Sequence, residues 1–299
     1  MVIPSFLKKG DTVAIIGTAR KISREEIQPA IELLEKSGLS VLLGQYLFES
    51  DHQYCGTTKQ RTDDLQWALN NKSIKAVIIA RGGYGTVKAI EHIDFKEFKH
   101  HPKWVVGYSD VTVLHNAIHN LGIASMHATM PINFLKNEEA TKSMLDKLFG
   151  KLDQITAEPT SLNKSGKVKA QIVGGNLSLI YSLNGTILDI DTTDKILFIE
   201  DLDEYLYHID RMMMQLKLSG KLKNLEALIV GGMTDMKDNT IPFGKTAEEI
   251  ILDAVKEYDY PVCFNFPAGH IDRNLALPFG MEGFLTVKND DVHLSFIQH

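Results

Sequence analysis

The stretch Trp104-Val105-Val106-Gly107-Tyr108-Ser109-Asp110 reads as an apolar strand running straight into a helical pattern. A serine on so sharp a strand-to-helix turn can stand exposed above a sheet. The N–H of the next residue, Asp110, then points at a developing oxyanion. The closing glycine of a GxSxG turn is absent, because Val111 occupies that place. Ser and Asp are also preferred helix N-caps, so the same residues admit a purely structural role.

Arg81-Gly82-Gly83-Tyr84-Gly85 follows the apolar run Ala76–Ala80. Glycines there let the backbone turn tightly and present N–H groups to an anion or a carbonyl oxygen. Further on, Glu200 ends a strand-like run and is followed by Asp201, Asp203 and Glu204. An acidic cluster of this kind is commonly a solvated turn before a helix. A carboxylate at the C-terminal end of a strand can instead orient a histidine. His270 lies in Pro267-Ala268-Gly269-His270-Ile271-Asp272-Arg273, a loop with no helical period to bury it. Such a histidine is either a surface residue or a base held on a rigid scaffold.

Other motifs fail on their spacing. Gly244-Lys245-Thr246 resembles the tail of a phosphate loop, but Asn239 stands where the first glycine is required and Pro242 sits inside. An NTP site is therefore excluded. His115 and His119 share a helix face, with His127 nearby, yet Asn116 replaces the glutamate that zinc proteases place after the first histidine. Two neutral packed imidazoles are expected there, and no metal. The run Met212–Met214 reads as helix packing.

These residues need a scaffold, and the first half supplies a rhythm. Strands are expected at Thr12–Ile16, Val41–Phe48, Ala76–Ala80, Trp104–Gly107 and Ser125–Met130. Helices are expected from about Glu26 to Gly38, over Thr58–Asn70, from Thr86, and up to Asn120. Pro29 is awkward inside the first helix, so its regular part is expected to start near Glu26 to Gln28. The alternation predicts an α/β fold with a mostly parallel sheet covered by helices. The polar segment 154–169 reads as a linker. It separates an N-terminal α/β domain (1–153) from a C-terminal, β-rich α/β domain (170–299). In the second half, helices are expected at Asn176–Leu183, Asp203–Leu218 and Thr246–Tyr258. Strands are expected at Ile196–Ile199, Ala227–Val230 and Val262–Phe264, and a hairpin closes the chain at Gly283–Val287 and Val292–Ile297.

Composition narrows the function. The chain has 299 residues, enough for two domains, with 44% hydrophobic and 23% charged residues. A net charge of −6 excludes a basic nucleic-acid footprint. No apolar run approaches membrane-helix length, and Lys8, Lys9, Gly10 and Asp11 interrupt the start too early for a signal peptide. Two cysteines, Cys55 and Cys263, lie far apart and form no CxxC pair. A cytoplasmic protein is expected.

The segments RGGYG, VVGYSDVTVLH, VGGNLSLI, FIEDLDE and PAGHIDRN occur in this order along nearly the whole chain. Together they closely resemble the LD-carboxypeptidase family, muramoyltetrapeptide carboxypeptidases with a Ser-Glu-His triad. The resemblance implies that Ser109 is the nucleophile, His270 the general base, and Glu200 the residue that orients His270. It implies an oxyanion hole from the Asp110 N–H and a glycine N–H at Gly82 or Gly83. It implies a triad at the junction of two domains, a homodimer, no cofactor, and release of terminal D-alanine from murein tetrapeptide. One departure is visible: Gly17-Thr18-Ala19-Arg20 stands where family members often carry a small Ala-Pro-Ser-like turn.

A carboxypeptidase must hold the free carboxylate of the leaving residue, and Arg81 and Arg273 are candidates. Asn176 is a candidate for the peptide backbone, and Glu204 for an ammonium group on the third residue. A microcin-immunity-type peptidase of the same family would share the triad and differ in the loops after Glu200. A non-catalytic two-domain protein closing on a small ligand is the other alternative.

Overall fold

Continuous apolar runs become strands that are buried on both faces. The computed structural model describes residues 1–297; residues 298 and 299, the end of the expected C-terminal domain, lie outside the described residues. The chain forms two units, one of Met1–Lys151 with Leu275–Pro278, the other of Leu152–Asn274 with Phe279 onward.

The first unit runs β1 (Thr12–Ile16), α1 (Arg24–Lys36), β2 (Ser40–Leu43), α2 (Thr58–Asn70), β3 (Ile74–Ile79), α3 (Thr86–Ile90), α4 (Lys96–His100), β4 (Trp104–Gly107), α5 (Thr112–Asn120), β5 (Ser125–His127) and α6 (Glu138–Leu148). β2, β1, β3, β4 and β5 are neighbours in that order and pair in parallel. Val13–Ile16, Ala76–Ala80 and Trp104–Val106 are essentially inaccessible to solvent, as strands covered on both faces must be.

Two corrections concern helix and strand limits. α1 starts at Arg24 and not near Glu26. A reciprocal capping box between Ser23 and Glu26 secures its first turn, and Pro29 sits inside. The carbonyl that Pro29 leaves unpaired belongs to Glu25, an exposed residue, where water can satisfy it. The expected strand Val41–Phe48 stops at Leu43, because the chain turns at Gly44.

The second unit holds β6 (Ile155–Ala157), β7 (Gly166–Asn176), α7 (Leu177–Leu183), β8 (Lys195–Leu202), α8 (Leu206–Leu218), β9 (Ala227–Thr234), α9 (Ala247–Val255), β10 (Val262–Cys263), β12 (Glu282–Val287) and β13 (Val292–Phe296), while β11 (Leu277–Phe279), between β10 and β12 in the chain, joins the sheet of the first unit. The sheet order is β10-β9-β8-β7-β12-β13-β6. β7 to β10 are parallel, while β12, β13 and β6 add on antiparallel. α7, α8 and α9 pack Leu177, Ile180, Ile209, Met212, Met213, Ile250 and Ile251 against Leu197, Ile199 and Leu228. Met212 and Met213 thus serve the core, while Met214 is exposed.

The segment expected as a linker, 154–169, carries β6 and the start of β7. Ile155 and Ala157 are buried and Thr156 is exposed, so β6 is a short alternating strand with one wet face. β11 pairs at the outer edge of the first sheet, beside β5. Among the described residues no helix is long and apolar enough to cross a membrane.

Candidate active site

The first unit gathers loops at the C-terminal ends of β1, β3 and β4, the end of a parallel sheet where ligands bind. Ser109 opens a 3-10 turn, Ser109–Val111, directly after β4. Its φ is +64°, a left-handed conformation that costs a residue with a side chain about 1–2 kcal/mol. Neither this turn nor α5 has a side-chain cap. The serine is held in a strained backbone conformation. A Cβ on Gly82 would lie 3.0 Å from Ser109 Cβ and 3.1 Å from its Oγ, so only glycine lets the 82–83 turn approach this closely. The N–H groups of Gly82, Gly83 and Asp110 donate to no backbone carbonyl outside regular elements among the described residues.

Asp110 is a cap, but for another helix. Its buried carboxylate accepts the Thr86 N–H at 2.8 Å, at the first turn of α3. Burial raises its pKa, and the Thr86 bonds oppose that rise. Thr86 Oγ1 in turn meets Thr18 Oγ1 at 2.8 Å. Three loops are thereby tied around the serine. Arg81 is engaged nearby, 3.6 Å from Glu26 and donating to the Lys21 carbonyl.

His115 is fully enclosed. Its Nδ1 lies 2.8 Å from Ser125 Oγ and its Nε2 2.8 Å from the Gly107 carbonyl oxygen. Burial pushes its pKa down to about 4, against the Gly107 bond. Both ring nitrogens are taken up in bracing the end of β4, leaving neither for a metal.

In the second unit Glu200 has no solvent-accessible surface. Its Oε2 lies 2.5 Å from His270 Nδ1 and also accepts the His270 backbone N–H at 3.1 Å. A carboxylate on Nδ1 fixes the tautomer and makes Nε2 the basic nitrogen of the neutral ring. The loop is held on both sides. Thr234 Oγ1 donates to the His270 carbonyl, and Gly269 N–H donates to Asn274 Oδ1. Burial opposes the imidazolium, but the charge and hydrogen bond of Glu200, with help from Asp201, raise the His270 pKa.

Glu200 and Asp201 are adjacent in β8 yet both buried. A regular strand would send them to opposite faces. The pairing register of β8 with β9 slips between Ile199 and Asp201, and such irregularities re-aim side chains. Asp201 accepts from Asn176 Nδ2, the Ser178 N–H and the Leu202 N–H, each at 2.9 Å. Burial, then the neighbouring Glu200 charge, pushes its pKa up to about 7.

The remaining candidates are placed as follows. Asn176 caps α7 through its Oδ1. Glu204 precedes α8, which starts at Leu206, so it is not on that helix's first turn as expected. Its Oε2 lies 2.6 Å from His208 Nδ1. Arg273 is exposed on the His270 loop. Ser109, Asp110, Gly82 and Gly83 come together in one unit, and Asn176, Glu200, Asp201 and His270 in the other. Sequence reasoning missed the burial of Asp201, the Glu204–His208 pair, and the role of Gly269. The adjacency of two acids at a strand end was the available signal for Asp201.

Known proteins resemble this chain along nearly its whole length. The profile of the LD-carboxypeptidase N-terminal domain matches residues 13–128, and that of the C-terminal domain matches residues 169–285. A probable murein peptide carboxypeptidase of Bacillus subtilis is 36% identical over 93% of this chain and 89% of its own length. The crystal structure of muramoyltetrapeptide carboxypeptidase from Oxalobacter formigenes matches with a TM-score of 0.88 and 25% identity, covering 96% of this chain and 99% of that one. The microcin C7 self immunity protein MccF, in complex with aspartyl sulfamoyl adenosine, shares the fold with a TM-score of 0.89 at 20% identity, covering 100% of this chain and 99% of that one. The chain belongs to the LD-carboxypeptidase family and is a carboxypeptidase, a hydrolase of that kind.

Proposed function

We propose that this chain is a serine-type LD-carboxypeptidase that releases the terminal D-alanine of murein tetrapeptide. The Glu200–His270 pair carries the reading: a fully buried carboxylate 2.5 Å from Nδ1 has the geometry of a base held for use. His270 Nε2 takes the Ser109 Oγ proton as Oγ attacks the carbonyl carbon. The tetrahedral oxyanion is met by the Asp110 N–H and a Gly82 or Gly83 N–H. The imidazolium then protonates the leaving D-alanine nitrogen as the C–N bond breaks. Water, activated by the same base, hydrolyses the acyl-serine and restores the enzyme. The strained φ of Ser109 supports its role, since strain of this kind concentrates at functional sites.

The reading includes a cytoplasmic homodimer acting in peptidoglycan recycling. Cys55 and Cys263 are buried free thiols, and a chain without a disulfide framework fits a reducing compartment. The murein substrate is supported by the names of the Bacillus and Oxalobacter proteins. The likeness to the microcin immunity protein favours a second reading, a peptidase for a peptide–nucleotide conjugate. Mass spectrometry of a purified muropeptide digest decides. Loss of one alanine from tetrapeptide by the wild type, absent with Ser109→Ala, supports the first. Cleavage of an aminoacyl sulfamoyl nucleoside alone supports the second.

A further inference from the structure

Removing a C-terminal residue requires recognition of its free α-carboxylate, which lies one residue from the bond attacked. The group that binds it must therefore stand near the nucleophile. Arg81 is already paired with Glu26 and bound to the Lys21 carbonyl.

Arg20 is different. Its backbone is fixed: its N–H donates to the Gly82 carbonyl at 3.3 Å, and it forms an antiparallel bridge with Tyr54. Its neighbours are fixed as well, Ala19 accepting from the Cys55 N–H and Lys21 donating to Gln53. A Cβ on Gly83 would stand 2.9 Å from Arg20 Cβ and 3.6 Å from its Cδ, while one on Gly82 would stand 3.1 Å from Ser109 Oγ. Arg20 and Ser109 thus lie against two consecutive glycines, whose Cα atoms are about 3.8 Å apart. The Arg20 side chain is exposed, and among the described residues its guanidinium has no hydrogen-bond, ion-pair or ring partner. A planar guanidinium on a rigid backbone matches a carboxylate with two parallel N–H donors.

Resting on the carboxypeptidase reading above, we propose that Arg20 binds the free C-terminal carboxylate of the substrate's leaving residue. It is a specificity-determining residue: it selects peptides that end at the scissile residue over those that continue or are capped.

The test compares tetrapeptide with its C-terminal amide on wild type, Arg20→Lys and Arg20→Ala. Because the side chain is exposed, these variants are expected to fold. For Arg20→Ala, KM for the free acid should rise roughly 10- to 100-fold with a smaller change in kcat, while the amide is unaffected. Arg20→Lys should recover part of the preference. Binding of both peptides to the Ser109→Ala protein, with and without Arg20→Ala, reads the contact without turnover. If Arg20→Ala keeps the wild-type preference for acid over amide in binding, the assignment is overturned. If acid binds preferentially through Arg20 but wild type cleaves neither peptide, the peptidase reading fails and the carboxylate site stands.

Discussion

A Cβ on Gly269 would stand 2.9 Å from Glu200 Oε2 and 2.7 Å from Glu200 Cβ, so the buried carboxylate lies against bare backbone. Gly269 also has a φ of +103°, which L side chains rarely adopt. Gly269→Ala must therefore push Glu200 away from His270 or distort the loop. We expect kcat to fall on the order of 100-fold or more and stability to drop by about 1–3 kcal/mol. Steady-state kinetics with a thermal melt check both. Near-normal turnover in a well-folded Gly269→Ala protein would show that the Glu200–His270 geometry does not limit the rate.

Ser109→Ala, His270→Ala and Glu200→Ala should each fold and lose most activity. Their combined loss should fall far short of the product of the single losses, because the residues act as one unit. Glu200→Gln keeps shape but removes the charge that stabilises the imidazolium, and a loss of roughly 10⁴-fold is expected by analogy with known triads. Ser109→Gly should melt higher than Ser109→Ala, since glycine tolerates a φ of +64°. Equal melting of the two variants would mean that the left-handed turn stores no strain.

Two groups govern pH dependence. His270 must be neutral to accept a proton, and its pKa is raised, so the acid limb of kcat/KM should lie above the ordinary imidazole value of about 6.5. Glu200→Gln should move that limb to lower pH. For stability the sign is the same at both groups. A raised folded-state pKa favours the protonated fold, so stability is fully present below the unfolded value and lost as pH rises through the folded one. Asp201, raised from 3.8 to about 7, should make the protein lose stability between about pH 4 and 7. Melting temperature against pH, compared with Asp201→Asn, measures this. A variant with the same slope as wild type would remove Asp201 as the cause.

Glu204→Gln should weaken binding of tetrapeptides with a cationic third residue by roughly 10-fold in KM, with little effect on a neutral analogue. Glu204 already shares its carboxylate with His208, which keeps the acid oriented. Equal effects on both substrates would make the Glu204–His208 pair a brace for the turn before α8.

Activity should survive dialysis against a chelator, because the serine is activated by a base. His115 spends both ring nitrogens on Ser125 and Gly107. A loss reversed only by zinc would contradict this.

Much of the scaffold was readable because burial leaves plain marks. β4 and α2 fall where they were expected, at Trp104–Gly107 and Thr58–Asn70. β7 was hidden because its first half alternates along the antiparallel β12, then becomes buried at every residue from Ile172 beside β8. On its residues alone the acidic run at the end of β8 read as a solvated turn or as a carboxylate that orients a histidine, because nothing in composition reveals a slipped register that buries two acids side by side. The glycine turn at 82–83 and the loop histidine were visible as chemistry. That Ser109 is strained, and that Asp110 caps α3, depend on backbone angles and on contacts between residues distant in sequence.

The position of β11 bears on how the chain is made. The outermost strand of the first sheet, beside β5, comes from residues 277–279. During synthesis the N-terminal sheet thus waits with an open flank until residues 277–279 have left the ribosome. Unpaired N–H and C=O groups along β5 are a template for pairing with other chains. A fragment ending near residue 151 should therefore self-associate, and nascent chains should need shielding until the C-terminal segment arrives.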